Sequence, residues 1–185
     1  MQAKPQDSLS IQISGIVQGV GCRPAIKRLA DKHRLRGWVR NSGTAVQVYV
    51  RGEQPLLQRF YTALVETFPQ QTTRLLPHNF EHALSSTQHA FVIEPSLAKA
   101  QALAITPDLA LCSACLAELL DKNNRRYRYP FISCTQCGPR YSISISAPFD
   151  RERTALKAFA PCSACSSEYT DPQDRRYHAQ TIACH

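Results

Sequence analysis

No apolar run in this sequence nears the ~18 residues a membrane-spanning helix needs, and the first residues, Met1-Gln-Ala-Lys-Pro-Gln-Asp7, are polar where a secretory signal is apolar. Neither a membrane location nor export is expected, and a cytoplasmic, reducing location is. Acidic residues are scarce: 14 Asp and Glu face 22 Lys and Arg, for a formal net charge of +8. Arginine supplies most of the excess, and its planar fork suits carboxylate or phosphate, so an anionic ligand is expected. Cysteine is nearly missing from the first 94 residues, which hold only Cys22, while the last 74 hold seven. In a reducing compartment such CxxC motifs point to metal or redox chemistry, not to four disulfides.

A chain of 185 residues with 43% hydrophobic content suits one domain of roughly 90 to 100 residues plus something smaller. The stretch from Pro95 to Pro107 is bounded by two prolines and carries almost no charge. It divides the chain into a first domain (1–94), a linker (95–107) and a cysteine-rich region (108–185).

In the first domain Leu9-Ser-Ile-Gln-Ile-Ser14 alternates as a half-buried strand does. Ile26, Leu29, Ala30 and His33 mark a helix over 24–35 that opens with Pro24. Trp38 to Asn41 and Val46 to Val50 predict two strands about the Ser42-Gly43 turn, and Leu57, Phe60, Tyr61, Leu64 and Phe68 stripe a second helix. A weaker extended segment over 74–82 precedes a last strand at Phe91-Val-Ile93. The order β-α-β-β-α-β in about 90 residues predicts an α+β ferredoxin-like sandwich, with both helices on one face of an antiparallel sheet.

The tail repeats itself. A shift of fifty carries Cys112-Ser-Ala-Cys115 onto Cys162-Ser-Ala-Cys165, Glu118 onto Glu168, Asp121 onto Asp171, Arg125-Arg-Tyr127 onto Arg175-Arg-Tyr177 and Cys134 onto Cys184. Eighteen residues separate Cys115 from Cys134 and Cys165 from Cys184, and twenty-four separate Cys137 from Cys162. Two CxxC turns close a tetrahedron about Zn²⁺, so Cys112, Cys115, Cys134 and Cys137 predict one structural zinc site. Cys162, Cys165 and Cys184 predict a second, for which His178 or His185 is a weaker candidate fourth ligand than a residue past position 185. Each repeat carries an Arg-Arg pair upstream of its third cysteine, placed to offset thiolate charge or to lie solvated at the surface. Redox chemistry of the thioredoxin kind needs one CxxC at a helix start beside a parallel strand, and four spaced half-sites do not match it.

Gly15-Ile-Val-Gln-Gly-Val-Gly-Cys-Arg23 lies between the first strand and the helix that Pro24 opens. Backbone N–H groups of such a turn, a helix N-terminus and the Arg23 fork can together cradle an anion. Glycines in a tight turn are the plainer alternative.

These residues, with Gly37-Trp-Val-Arg-Asn41, resemble the acylphosphatase signature G-x-V-Q-G-V-x-F-R followed by G-W-V-x-N, and the resemblance runs through residues 9–94. It implies that Arg23 and the amides of Gln18, Gly19, Val20, Gly21 and Cys22 bind a phosphoryl group, and that Asn41 orients the attacking water. Cys22 stands where phenylalanine is usual, and Thr44-Ala45 replaces the acidic or glycine residues common after the asparagine. Cys22 as a nucleophile is the lesser reading, because a small buried cysteine packs as a hydrophobe.

Joined to C-x₂-C-x₁₈-C-x₂-C-x₂₄-C-x₂-C-x₁₈-C, with Cys134-Thr-Gln-Cys-Gly-Pro-Arg140 inside it, this domain resembles the N-terminal part of the HypF-type carbamoyltransferases of hydrogenase maturation. The resemblance implies hydrolysis of carbamoyl phosphate, or another acyl phosphate, in the first domain. It places ATP use and transfer to a HypE-like acceptor protein in later segments. The alternative from another class is an RNA- or DNA-binding zinc module on a ferredoxin-like sheet. Dispersed arginines and strands lacking paired aromatics speak against it, so nucleic acid is not the expected partner. A third reading is an interaction scaffold with an inactive loop.

Overall fold

The computed structural model describes residues 7–76, 89–97 and 106–185. The chain falls into two units: Met1–Val17 with Cys22–Lys99, and Gln18–Gly21 with Ala100–His185.

The first unit runs β1 (Asp7–Ser14), α1 (Cys22–Lys32), β2 (Arg36–Ser42), β3 (Ala45–Gly52), α2 (Gln54–Thr67), β4 (Thr72–Leu76) and β5 (Phe91–Ile93). Alternation in β1 and β3 is matched across the antiparallel pair, with Ile11 opposite Val48 and Ile13 opposite Val46. These four side chains are fully buried, as are Ile26 and Ala30 of α1 and Phe60 and Leu64 of α2. Each large side chain so buried is worth about 1.5–3 kcal/mol. α1 begins at Cys22, before Pro24, because first-turn N–H groups have no helical partner and proline's missing donor costs nothing there.

The sheet has five strands in the order β4-β1-β3-β2-β5. It is mixed, not antiparallel as expected: β5 runs parallel to β2. The reason is directional. β4 runs antiparallel to β1, so a chain that reverses after β4 comes up beside β2 in the same sense as β2. Only 74–76 of the expected extended segment are described, and they belong to β4; 77–82 lie outside the described residues. Of the expected linker, 98–105 lie outside the described residues, while Leu97 bridges Ser42.

The second unit carries α3 (Ser113–Leu120), α4 (Ser163–Thr170) and three 3₁₀ turns at Tyr141–Ile143, Arg151–Arg153 and Ala155–Ala158. The fifty-residue repeat is kept in the backbone. Asp121 and Asp171 end their helices at φ −79° with ψ 114° and 113°. Arg128 and His178 adopt φ 57° and 55°, and each donates its N–H over 2.9 Å into the preceding helix, to Leu119 O and Tyr169 O. The apolar clusters are small: Cys115, Ile132, Cys134 and Cys137 in one repeat, Cys165, Ala179 and Ile182 in the other. Cores of this size need a staple, and the cysteines within them are suited to supply it. Among the described residues no helix is long and apolar enough to cross a membrane.

Candidate functional site

Cys112 precedes α3, Cys115 sits in its first turn, and Cys134 and Cys137 bracket a tight turn. Their four sulfurs lie within 4.8 Å of one another, with 3.8 Å from Cys112 to Cys134 and 3.7 Å from Cys134 to Cys137. Tetrahedral Zn–S bonds of about 2.3 Å place sulfurs about 3.8 Å apart, so the donor set fits Zn²⁺. All eight cysteines are free. Crowding divides the protons unequally: hydrogen bonding with Cys115 draws the Cys134 thiol down to about 4, and the same bond, with burial, pushes Cys115 up. A thiolate is therefore ready to meet a cation.

Cys162, Cys165 and Cys184 form the second cluster, with 3.5 Å between the sulfurs of Cys162 and Cys184. Neither histidine candidate joins it. His185 Nε2 lies 3.1 Å from Tyr127 O, and the His178 ring packs against Tyr169 and Tyr177.

The paired arginines serve the opposite repeat from their own. Arg125 Nη1 reaches Cys165 Sγ at 3.4 Å, and Arg126 grips Glu168 through Nη1 at 3.0 Å and Nη2 at 2.5 Å while its Nε donates to Ala183 O at 2.9 Å. Reciprocally, Arg175 Nη1 lies 2.9 Å from Cys115 Sγ, and Arg176 donates Nη2 to Glu118 Oε2 at 2.6 Å and Nε to Ser133 O at 3.0 Å. Arg126 and Arg176 are each 2% exposed, so the surface reading of the pairs does not hold for them. Their fixed positive charge would offset the excess negative charge of an ion bound by these thiolates. Burial works to raise the Glu168 carboxyl, but hydrogen bonds from Arg126 and Arg125 outweigh it and bring it down to about 2.

After β1 the glycine-rich turn takes up positive φ at Gly15 (109°), Gly19 (74°) and Gly21 (74°). Glycine takes this region without a Cβ clash, which lets the backbone turn sharply between β1 and α1. A Cβ at Gly19 would also meet Arg140 Cδ at 2.7 Å. Cys22 and Arg23 then open α1. Arg23 Nη1 donates to Ser96 Oγ at 3.3 Å, and the next residue, Leu97, donates its N–H to the main-chain carbonyl of Asn41 at 2.9 Å. Asn41 is 1% exposed on β2, and its Oδ1 is buried without a hydrogen-bond partner among the described residues. Burial pushes the Cys22 thiol up to about 12, which keeps it protonated and inert.

With this geometry the relatives are informative. Residues 9–93 match the acylphosphatase family, and residues 111–144 and 162–185 match the HypF finger. A carbamoyltransferase HypF from Synechocystis sp. is 43% identical over 158 residues, covering 82% of this chain and 20% of that protein. An acylphosphatase from Bacillus licheniformis is 43% identical over 61 residues, 32% of this chain and 67% of that protein. The crystal structure of full-length HypF in its phosphate- and nucleotide-bound form superposes with a TM-score of 0.82 at 37% identity, over 99% of this chain and 24% of that one. The chain belongs to the HypF family. It spans about a fifth of the length of the HypF proteins it matches.

The expectation that the strands lack paired aromatics is corrected. Trp38 of β2 lies opposite Tyr49 of β3, and the rings stack at 6.1 Å and 24° with the Arg40 guanidinium 4.2 Å from the indole. Alternation reserves this face for large side chains, and pairing follows from register. Trp38 is only 1% exposed, so the pair offers no platform on which a base could stack.

Sequence reasoning missed the contacts of Glu118, Glu168 and Arg140 in this HypF chain. Glu118 and Glu168 coincided in the fifty-residue shift, a signal that marked them without naming their partners. Arg140 ends the Cys-Gly-Pro-Arg run, and nothing in its spacing shows where its fork turns.

Proposed function

We propose that this chain is the acyl-phosphate-hydrolysing, zinc-holding part of a carbamoyltransferase for hydrogenase maturation, with carbamoyl phosphate as the substrate. The observation that carries the reading is the glycine turn, with Gly19 and Gly21 at positive φ, leading into Arg23, together with a buried Asn41 carboxamide oxygen that has no hydrogen-bond partner among the described residues. A buried acceptor left unpaired costs about 1–3 kcal/mol, which a water O–H would recover.

In this reading Arg23 and the amides of Gln18 to Cys22 hold the phosphoryl oxygens, and Asn41 Oδ1 accepts a hydrogen bond from the attacking water. The water oxygen forms a new P–O bond, the bond from phosphorus to the acyl oxygen breaks, and carbamate leaves with the electron pair. A phosphate oxygen takes the water's proton. The leaving group is weakly basic and needs no acid, so positioning and charge stabilisation are most of the task. The HypF relative crystallised with phosphate lends the reading support. ATP-dependent transfer to a HypE-like acceptor falls, in this proposal, to the rest of the relatives' length. A closed four-thiolate zinc site has no open position for substrate, so the metal takes no direct part in the chemistry.

Phosphate release from carbamoyl phosphate and acetyl phosphate tests the assignment. It should be lost in Arg23→Ala and Asn41→Ala with the fold intact. Turnover equal to wild type in both variants would overturn the roles, and salt-dependent RNA binding without hydrolysis would favour a nucleic-acid module.

A further inference from the structure

Arg140 is 1% exposed, and all five donors of its guanidinium are spent on main-chain carbonyls. Nη1 donates to Cys137 O at 3.0 Å and Pro139 O at 2.8 Å. Nη2 donates to Cys134 O and Thr135 O, each at 3.0 Å. These four carbonyls belong to the turn that carries two thiolates of the first metal site. The fifth donor, Nε, goes to Gly19 O in the glycine turn. Its own N–H donates to Asp108 Oδ1 at 2.7 Å, which fixes the arginine from behind.

The same turn is held at two further points. Thr106 Oγ1 donates to Gln18 O at 2.5 Å, and Phe149 N–H donates to Gln18 Oε1 at 3.0 Å. Peptide planarity makes these contacts consequential. In a trans peptide the N–H of residue i+1 points opposite to the C=O of residue i, so a held carbonyl is a held amide. Arg140, by fixing the Gly19 carbonyl, fixes the direction of the Val20 N–H. Thr106 does the same for the Gly19 N–H by fixing the Gln18 carbonyl. Glycine turns are permissive and flip peptides at little cost, so an anion nest built on them needs such outside constraints.

We propose that Arg140 is a positioning residue for the phosphoryl-binding amides and that metal at the Cys112, Cys115, Cys134 and Cys137 site sets their geometry through it. This inference rests on the acyl-phosphate reading above. The chain of cause is short: the ion fixes the Cys134–Cys137 turn, the turn's carbonyls fix the guanidinium, and Nε fixes the Gly19–Val20 peptide. Lysine cannot substitute, because three donors on a point charge do not span the five carbonyls.

The test uses the whole chain, with inorganic phosphate as probe and affinity measured by calorimetry, alongside cobalt substitution to report the thiolate site. Arg140→Lys should keep the cobalt–thiolate absorption yet weaken phosphate binding on the order of 10- to 100-fold, with KM for acetyl phosphate raised and kcat lowered together. Thr106→Val, which removes the second hold and touches no metal ligand or ligand-turn carbonyl, should weaken phosphate to a smaller degree. In wild type, chelation should weaken phosphate binding and zinc should restore it; in Arg140→Lys that dependence should vanish. Phosphate affinity unchanged in both variants, or indifferent to metal in wild type, overturns the inference. If Arg23→Ala abolishes phosphate binding while Arg140→Lys leaves it intact, only this inference fails; if wild type neither binds phosphate nor hydrolyses acetyl phosphate, the acyl-phosphate reading fails and takes this inference with it.

Discussion

Replacing Arg176 by alanine should loosen the first metal site and spare the second, although Arg176 lies in the second repeat. Its side chain is 3% exposed and makes an ion pair with Glu118 at 2.6 Å, a bond to Ser133 O at 3.0 Å just ahead of Cys134, and a contact to Cys115 Sγ at 3.9 Å. Breaking a buried ion pair costs roughly 3–5 kcal/mol because a charge is left alone. Here Glu118 keeps Arg175 at 2.7 Å, so the loss is reduced to about 2–4 kcal/mol, the lost charged hydrogen bonds being worth about 1.5–3 each in other proteins. At 1.4 kcal/mol per decade that is a fall in affinity of roughly 30- to 1,000-fold. Chelator-driven release of cobalt, followed by its thiolate absorption in a Cys165→Ser background that silences the second site, reads the effect on the first alone. Arg126→Ala in a Cys115→Ser background is the mirror experiment, with the loss now at Cys162, Cys165 and Cys184. An effect confined to each arginine's own repeat, or none at either site, would refute the crosswise assignment.

Cys22→Ala should retain acyl-phosphate turnover and lose only about 1 kcal/mol of stability, since burial keeps the thiol protonated; loss of turnover with the fold intact would make it a participant. Cys134→Ser should remove one equivalent of zinc relative to wild type by elemental analysis, and an unchanged metal content would show that the first cluster is not a metal site. Glu168, held at about 2 against an ordinary 4.5, contributes stability that is complete above about pH 4.5 and disappears as the pH falls toward 2. Acid unfolding followed by circular dichroism should therefore steepen in that interval and flatten in Glu168→Gln; identical profiles would deny the pairing any weight.

The elements that bury an alternating or 3.6-residue stripe were legible: Ile11 and Ile13 in β1, Leu57, Phe60 and Leu64 in α2. Their periodicity is the imprint of the core they fill. The sense of β5 was not, because a three-residue strand carries no direction in its pattern, and direction depends on the path taken after β4. The two cysteine clusters were readable from spacing alone, since a CxxC turn is local chemistry. The crossing of the arginines was not readable for a specific reason: two self-similar repeats present the same glutamate and the same cysteines, so sequence cannot tell an arginine's own repeat from its neighbour. Arg140 was hidden for a related one, its partners being main-chain carbonyls that every residue possesses.

Isotope transfer is the most direct test of hydrolysis at the Arg23 and Asn41 site. Carbamoyl phosphate hydrolysed by this chain in ¹⁸O-labelled water, with product phosphate read by ³¹P NMR, should carry one labelled oxygen on phosphorus, and the signal should be lost in Arg23→Ala. Phosphate released without label would mean that the carbon–oxygen bond breaks, by attack at carbon or by loss of cyanate, and would contradict a site built to hold the phosphoryl group for in-line attack.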